Sequence, residues 1–139
     1  MQSRSLITLA AVVALASATG YAQSNSMRVS VPFEFTVGRT VLPAGDYTVQ
    51  SNSLPRVVSL QTTNRDSAAF VIAIQAGRDK AQEQPTLVFN RYGSNYFLAS
   101  IWWAASTDGL EFPKTKTEIE VAKTAGLRRP EQVTLMASR

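Results

Sequence analysis

Apolar and polar residues alternate along much of the chain, and a period of two predicts β-strands. The clearest example is residues 29–37, where every second residue is valine or phenylalanine. Pro32 falls on the outer side of this segment and has no backbone N–H. We therefore expect this strand to lie at a sheet edge or to carry a bulge there. Turns are predicted at Gly38 and at residues 42–45.

Shorter segments of the same kind follow, separated by turn residues. They predict strands over residues 47–50, 56–62, 86–92, 96–104 and 132–137. Residues 93–95 contain glycine and asparagine and predict a tight hairpin. Residues 68–76 are almost continuously apolar, which predicts a central strand buried on both faces. The polar stretch 77–85 predicts a mobile loop.

One helix is predicted near the C-terminus. Thr115 and Glu118 stand three residues apart, as in a capping box, ahead of Ile119 and Val121. Gly126 is placed to end the helix. Its narrow apolar stripe predicts a short surface helix. The whole pattern predicts an antiparallel β-sandwich with one short C-terminal surface helix, with a small β-barrel as the alternative.

The N-terminal residues predict a secretory signal peptide. Arg4 precedes an apolar run over residues 6–18, and small residues stand at Gly20 and Ala22. We expect cleavage after Ala22, with cleavage after Ala18 as second choice. The apolar run is shorter than the roughly 20 residues that span a bilayer, which argues against an uncleaved anchor.

The chain therefore divides into a signal peptide over residues 1–22 and one all-β domain over residues 23–139. The expected location is the periplasm or the extracellular space, with no stable membrane insertion after cleavage. Proteins reach both locations with the same kind of signal peptide, so the sequence does not distinguish the periplasm from the extracellular space.

The composition excludes several kinds of chemistry. The 139 residues include no cysteine and no histidine, so disulfides, thiolate nucleophiles and Ser-His-Asp triads are excluded. The net charge of +4 falls by one when Arg4 leaves, and it is dispersed, so no nucleic-acid partner is predicted. The seven glycines form no phosphate-binding loop, and we predict no cofactor.

The carboxylates form no predicted catalytic pair or metal site. Glu118 and Glu120 point in different directions on a helix. The remaining candidates are Glu34, Asp46, Asp66 and Asp108. Each is expected in a strand or a turn, and the turn predicted for Asp108 covers residues 107–109. We therefore predict that the protein is not an enzyme, unless a cavity holds two or more of these four.

The aromatic residues of the predicted hairpin are the candidate ligand-binding residues. Strand parity places Tyr96 and Trp102 on one face, and the more apolar Phe97 and Trp103 on the other. Trp102 is therefore expected to point outward, where it could stack on a sugar ring. The predicted ligand-binding residues are Trp102, Tyr96, Tyr92 and Asn95. Alternatively, the C-terminal helix covers this face and buries Trp102.

The strings VPFEFTVG and LPAGDYTV, with FLASIWW and PKTKTEIEVAK further on, resemble a group of small exported bacterial proteins of unassigned function. The likeness covers residues 31–123. It implies an exported all-β domain and assigns no catalytic or ligand-binding residue. LPAG followed by an aromatic residue is also similar to a turn in transthyretin-like and carboxypeptidase-regulatory-like sandwiches.

The sequence thus favours an exported, non-enzymatic interaction or structural protein. The alternative is a carbohydrate- or small-ligand-binding module that uses the aromatic residues of the hairpin. The expected partner is an envelope protein or a glycan. Pro32 discourages edge-to-edge pairing and favours a monomer.

Overall fold

A computed structural model describes residues 25–51, 57–126 and 129–138. The predicted signal peptide and both cleavage sites lie outside these ranges. The described residues form eleven strands and one helix. They are β1 (Asn25–Val31), β2 (Phe35–Val37), β3 (Thr40–Leu42), β4 (Gly45–Ser51), β5 (Val57–Thr62), β6 (Ala68–Ile72), β7 (Ile74–Gln82), β8 (Thr86–Tyr92), β9 (Asn95–Trp102), β10 (Ser106–Glu111), α1 (Lys116–Thr124) and β11 (Glu131–Met136).

The strands form two sheets that face each other, and the predicted β-sandwich is confirmed. The first sheet is antiparallel, in the order β1-β4-β5-β6. The second has the order β11-β8-β9-β10-β7, and β2 joins it beside β9 and carries β3. The described strands do not close into a barrel.

The core lies between the sheets and is filled by one side of each strand. Its largest fully buried side chains come from both sheets, as alternation predicts. They include Met27, Phe35, Leu42, Tyr47, Leu60, Leu87, Phe89 and Ile101.

Residues 29–37 belong to two strands rather than to the single strand predicted. β1 ends at Val31 in the first sheet, and β2 begins at Phe35 in the second. The chain crosses between the sheets at Pro32, where the missing N–H prevents a ladder bond. Alternation continues because both strands face the same core.

The assignment of residues 68–85 was wrong in two respects. The apolar run is not one central strand, because it divides at the buried Ala73 into β6 and β7, each at the edge of a different sheet. The predicted loop at 77–85 is largely β7, paired with β10. β10 itself occupies the predicted turn at 107–109. Most side chains of β7 are exposed, so backbone pairing forms this strand without an apolar pattern.

The helix is confirmed. Thr115 caps its N-terminus, and its Oγ1 accepts a hydrogen bond from the Glu118 N–H at 3.2 Å. Gly126 follows the helix in the left-handed region, with φ of +66°. The carboxyl group of Glu118 is engaged elsewhere, as described below.

Candidate functional site

The β8–β9 hairpin carries all four predicted ligand-binding residues, but it does not place them on one face. The pairing passes from Val88 opposite Ser100 to Phe89 opposite Leu98, so Ala99 is an extra residue in β9. Such a bulge reverses the alternation beyond it. The predicted common face of Tyr96 and Trp102 is therefore wrong, because the two side chains lie on opposite faces of the sheet.

Tyr96 lies on the core side, at its margin. Its ring stacks on Phe33, with centroids 3.7 Å apart and planes inclined by 12°. The guanidinium group of Arg91 lies 5.5 Å from the centre of the Tyr96 ring. The ring is thus half-buried between a second aromatic side chain and a cation, which leaves little of either face for a sugar.

Trp102 points away from the core, as predicted, and is half-buried. Its Nε1 donates to Ser100 Oγ at 3.0 Å, and the guanidinium of Arg78 lies 4.5 Å from the ring centroid. The indole also lies against Gly109 on β10. Arg78, rather than a sugar, therefore stacks on the indole.

Tyr92 is buried, and Asn95 is exposed at the start of β9. The Tyr92 hydroxyl and the Asn90 Nδ2 both donate to Oε1 of Glu118, each at 3.0 Å. Glu118 is only 4% exposed, so its carboxyl group fixes α1 to the outer face of β8. This polar cluster was not predicted; the only signal for it is an asparagine within an apolar strand.

The Tyr92–Glu118 contact predicts a loss of stability at alkaline pH. Burial, followed by the charge and the hydrogen bond of Glu118, raises the pKa of Tyr92 from 10 to about 12. The folded protein holds this proton more tightly than the unfolded chain does. The stabilisation is complete below pH 10 and is lost as the pH rises from 10 to 12, by about 3 kcal/mol in all.

Urea unfolding of the wild type and of Tyr92→Phe, at about pH 9 and about pH 11.5, measures this loss. Because every other titratable group is present in both proteins, the difference between the two isolates Tyr92. An equal loss of stability in the two proteins would contradict the assignment.

The four carboxylates that could revive an enzymatic hypothesis are all exposed. Asp46 and Asp66 both line an open cavity of about 460 Å³ beside the β3–β4 connection. Asp46 accepts a hydrogen bond from the Ser30 hydroxyl, and Asp66 accepts one from Asn64 Nδ2 at 2.7 Å. Both residues are exposed, so neither has the apolar surroundings of a catalytic acid.

Glu34 and Asp108 are exposed and do not line this cavity. In the parts of the chain that the structure describes, no three acidic, cysteine or histidine side chains come together as a metal site.

A different surface stands out at the edge of the first sheet, where β6 lies. Within the described ranges, six large apolar side chains are exposed, and four of them lie near this edge. Phe70 and Ile72 on β6 are 75% and 72% exposed, and Ile74 at the start of β7 is 57% exposed. Val41 is 58% exposed on β3, which lies beside β6. We call these four residues the apolar edge.

The apolar edge corrects the prediction that residues 68–76 are buried on both faces. Ala69 and Ala73 point into the core, whereas the larger Phe70, Ile72 and Ile74 point outward. The sequence contained this signal, since small and large apolar residues alternate there. The nearly continuous hydrophobicity of residues 68–76 concealed this alternation of small and large side chains.

β6 also has an unpaired backbone edge. It pairs with β5 on one side, and no described strand pairs with its other side. Of the other edge strands, β1, β7 and β3 are protected. β1 is joined to the segment that follows β11 by mutual Arg28–Ser138 backbone hydrogen bonds of 2.7 and 2.8 Å. β7 carries three consecutive charged residues at 78–80, and β3 has only three residues.

No family model, curated protein or solved structure matches this chain. Among the described residues, no helix has the length and hydrophobicity needed to cross a membrane.

Proposed function

We propose that this protein is an exported, non-enzymatic interaction domain that binds a protein partner through its apolar edge. The observation that carries the proposal is β6, an uncharged edge strand with two large apolar side chains more than 70% exposed. Folded monomers rarely leave such a strand open, because it is a template for pairing with another chain.

The chemistry of this edge favours a protein rather than a small ligand. The free N–H and C=O groups of a strand recognise the backbone of another extended segment. Phe70 and Ile72 supply apolar contacts on the same strand. Neither a stack of exposed aromatic rings nor a convergent set of polar groups, as a sugar site requires, lies on this edge.

Export is supported by the sequence of the first 22 residues, and the partner is therefore expected in the periplasm or outside the cell. The non-enzymatic assignment is supported by the absence of cysteine and histidine. It is also supported by the exposure of Asp46 and Asp66, whose carboxylates accept hydrogen bonds from neighbouring side chains.

Site-specific photo-crosslinking in the producing cells tests the proposal. The gene keeps its own first 22 codons, so that the protein reaches its natural compartment. A benzophenone amino acid replaces Phe70 in one strain and Met136 in another; Met136 is 62% exposed on β11 and is a matched control.

We expect a discrete crosslinked product from position 70 and none from position 136. Adding Ile72→Lys to the position 70 variant should remove the product, because a charge on an edge strand blocks pairing. The proposal fails if position 70 gives no product, or gives the same products as position 136.

A further inference from the structure

We infer that the partner at the apolar edge is a second copy of this chain, with β6 paired to β6 in an antiparallel arrangement about a two-fold axis. The inference rests on the proposed function, because it names the partner for the same surface. It is drawn from the sequence of β6, its place in the first sheet and the protection of β1, β3 and β7.

The β6 sequence is complementary to itself. In the antiparallel register centred on Phe70, all five residues of Ala68–Ile72 pair with the second copy. Ala68 then lies opposite Ile72, so a small side chain meets a large one. Phe70 lies opposite Phe70 of the second copy, which makes an aromatic cross-strand pair. A register displaced by two residues leaves part of the strand unpaired.

Charge does not oppose this pairing. The five residues AAFVI carry no charged side chain, so no like charges meet across the axis. In contrast, β7 would place the charged residues 78–80 against their copies. Self-pairing is therefore more favourable for β6 than for β7.

The pairing also ends at two copies. Joining two four-stranded sheets through β6 gives one eight-stranded sheet whose outer strands are both β1. β1 is already tied to the second sheet of its own copy through Arg28 and Ser138. A symmetric contact that consumes the open edge on both copies closes the assembly as a dimer.

The interface is small. Complete burial of the four side chains of the apolar edge on both copies, with the strand backbone, gives an upper value on the order of 1,000 Å² in total, at the lower limit for specific interfaces. We therefore expect a reversible dimer with a Kd on the order of 10 μM.

Sedimentation equilibrium of the purified protein, from about one tenth to about ten times that Kd, tests the association. The wild type should pass from monomer to dimer over this range. Phe70→Lys and Ile72→Lys should raise the Kd at least tenfold, whereas Met136→Lys should leave it unchanged. These side chains are exposed, so the variants are expected to fold, which circular dichroism checks.

Disulfide crosslinking tests the register, and the chain offers a clean background because it has no cysteine. Residues directly opposite in an antiparallel pair have Cα atoms roughly 4.5–5.5 Å apart, within the range of a disulfide. Under mild oxidation, Phe70→Cys should form a covalent dimer by itself. Ala68→Cys and Ile72→Cys should form little dimer separately but crosslink when mixed. Met136→Cys is the control for random collision.

The outcomes separate this inference from the proposed function. A wild type that remains monomeric, with Phe70→Cys crosslinking no faster than Met136→Cys, overturns the second copy as partner. In that case, a product at position 70 that contains a different protein preserves the proposed function. If position 70 gives no product in cells, both proposals fail.

Discussion

Gly109→Ala is expected to destabilise the protein by about 2–3 kcal/mol, because the added methyl group has no space. A Cβ at this position would lie 2.4 Å from Cε3 of Trp102 and 2.7 Å from the backbone oxygen of Ile101. The indole is held by Ser100 and covered by Arg78, so it cannot move aside freely. The Ile101 oxygen belongs to β9 at a point where this strand pairs with both β8 and β10, so it cannot move without disturbing the sheet.

Gly77→Ala is the matched control. Gly77 is on the neighbouring strand β7, and its nearest contact for an added Cβ is 3.9 Å away, at the backbone oxygen of Thr107. We expect the free energy of unfolding to change by less than about 0.5 kcal/mol there. Urea unfolding followed by circular dichroism compares the two variants.

The clash with Trp102 can be separated from the clash with the backbone by a double-mutant cycle. In a Trp102→Ala background, Gly109→Ala should cost less, because only the Ile101 oxygen remains in the way. Should Gly109→Ala prove as mild as Gly77→Ala, the close packing of the indole on β10 would be wrong. In that event the outer face of Trp102 would again be a candidate ligand-binding surface.

Glu118→Ala is expected to destabilise the protein by about 2–4 kcal/mol. The substitution leaves the Asn90 amide and the Tyr92 hydroxyl without their shared acceptor, and both groups are buried. A buried donor that loses its partner retains the full cost of its lost hydration. The contact between α1 and β8 is lost at the same time.

Two other substitutions make this test specific. Glu118→Gln keeps a side-chain oxygen of the same length and should cost about 1 kcal/mol, as a neutral acceptor replaces a carboxyl group. Glu120→Ala removes an exposed carboxylate from the same helix and should change stability by less than about 0.5 kcal/mol. Urea unfolding gives the free energies.

Hydrogen exchange within α1 shows whether the helix has detached, since a helix of nine residues has little stability of its own. Equal effects of Glu118→Ala and Glu120→Ala would refute the anchoring role. Slow exchange in α1 of the Glu118→Ala variant would show that other contacts hold the helix.

The proposed dimer changes the interpretation of Pro32. The sequence suggested that a proline at a strand edge discourages pairing and so favours a monomer. Pro32 lies between β1 and β2, where the chain crosses from one sheet to the other. It therefore protects neither side of β6, and the oligomeric state depends on a strand that has no proline and no charge.

Local sequence signals predicted the elements that depend on local chemistry. Alternation identified β4, β5, β8, β9 and β11, because each has one face in the core. The helix was predicted from its cap, since Thr115 and Gly126 act on backbone groups within a few residues of themselves. The sandwich followed from the number and spacing of these strands.

The tertiary structure decided what depends on neighbouring strands. β7 and β10 are strands because each offers backbone groups to the other, and their side chains carry little pattern. The bulge at Ala99 is set by pairing with β8, and one extra residue separated Tyr96 from Trp102. The carboxyl group of Glu118 found buried partners 26 and 28 residues away.

The sequence by itself determined that apolar side chains occupy residues 68–76, but only the tertiary structure decided that three of the largest face outward. Hydrophobicity shows how much apolar area a segment offers, whereas strand order decides which face another layer covers. Because β6 lies at the end of its sheet and its outer face has no covering layer, an apolar run typical of a core became an exposed edge.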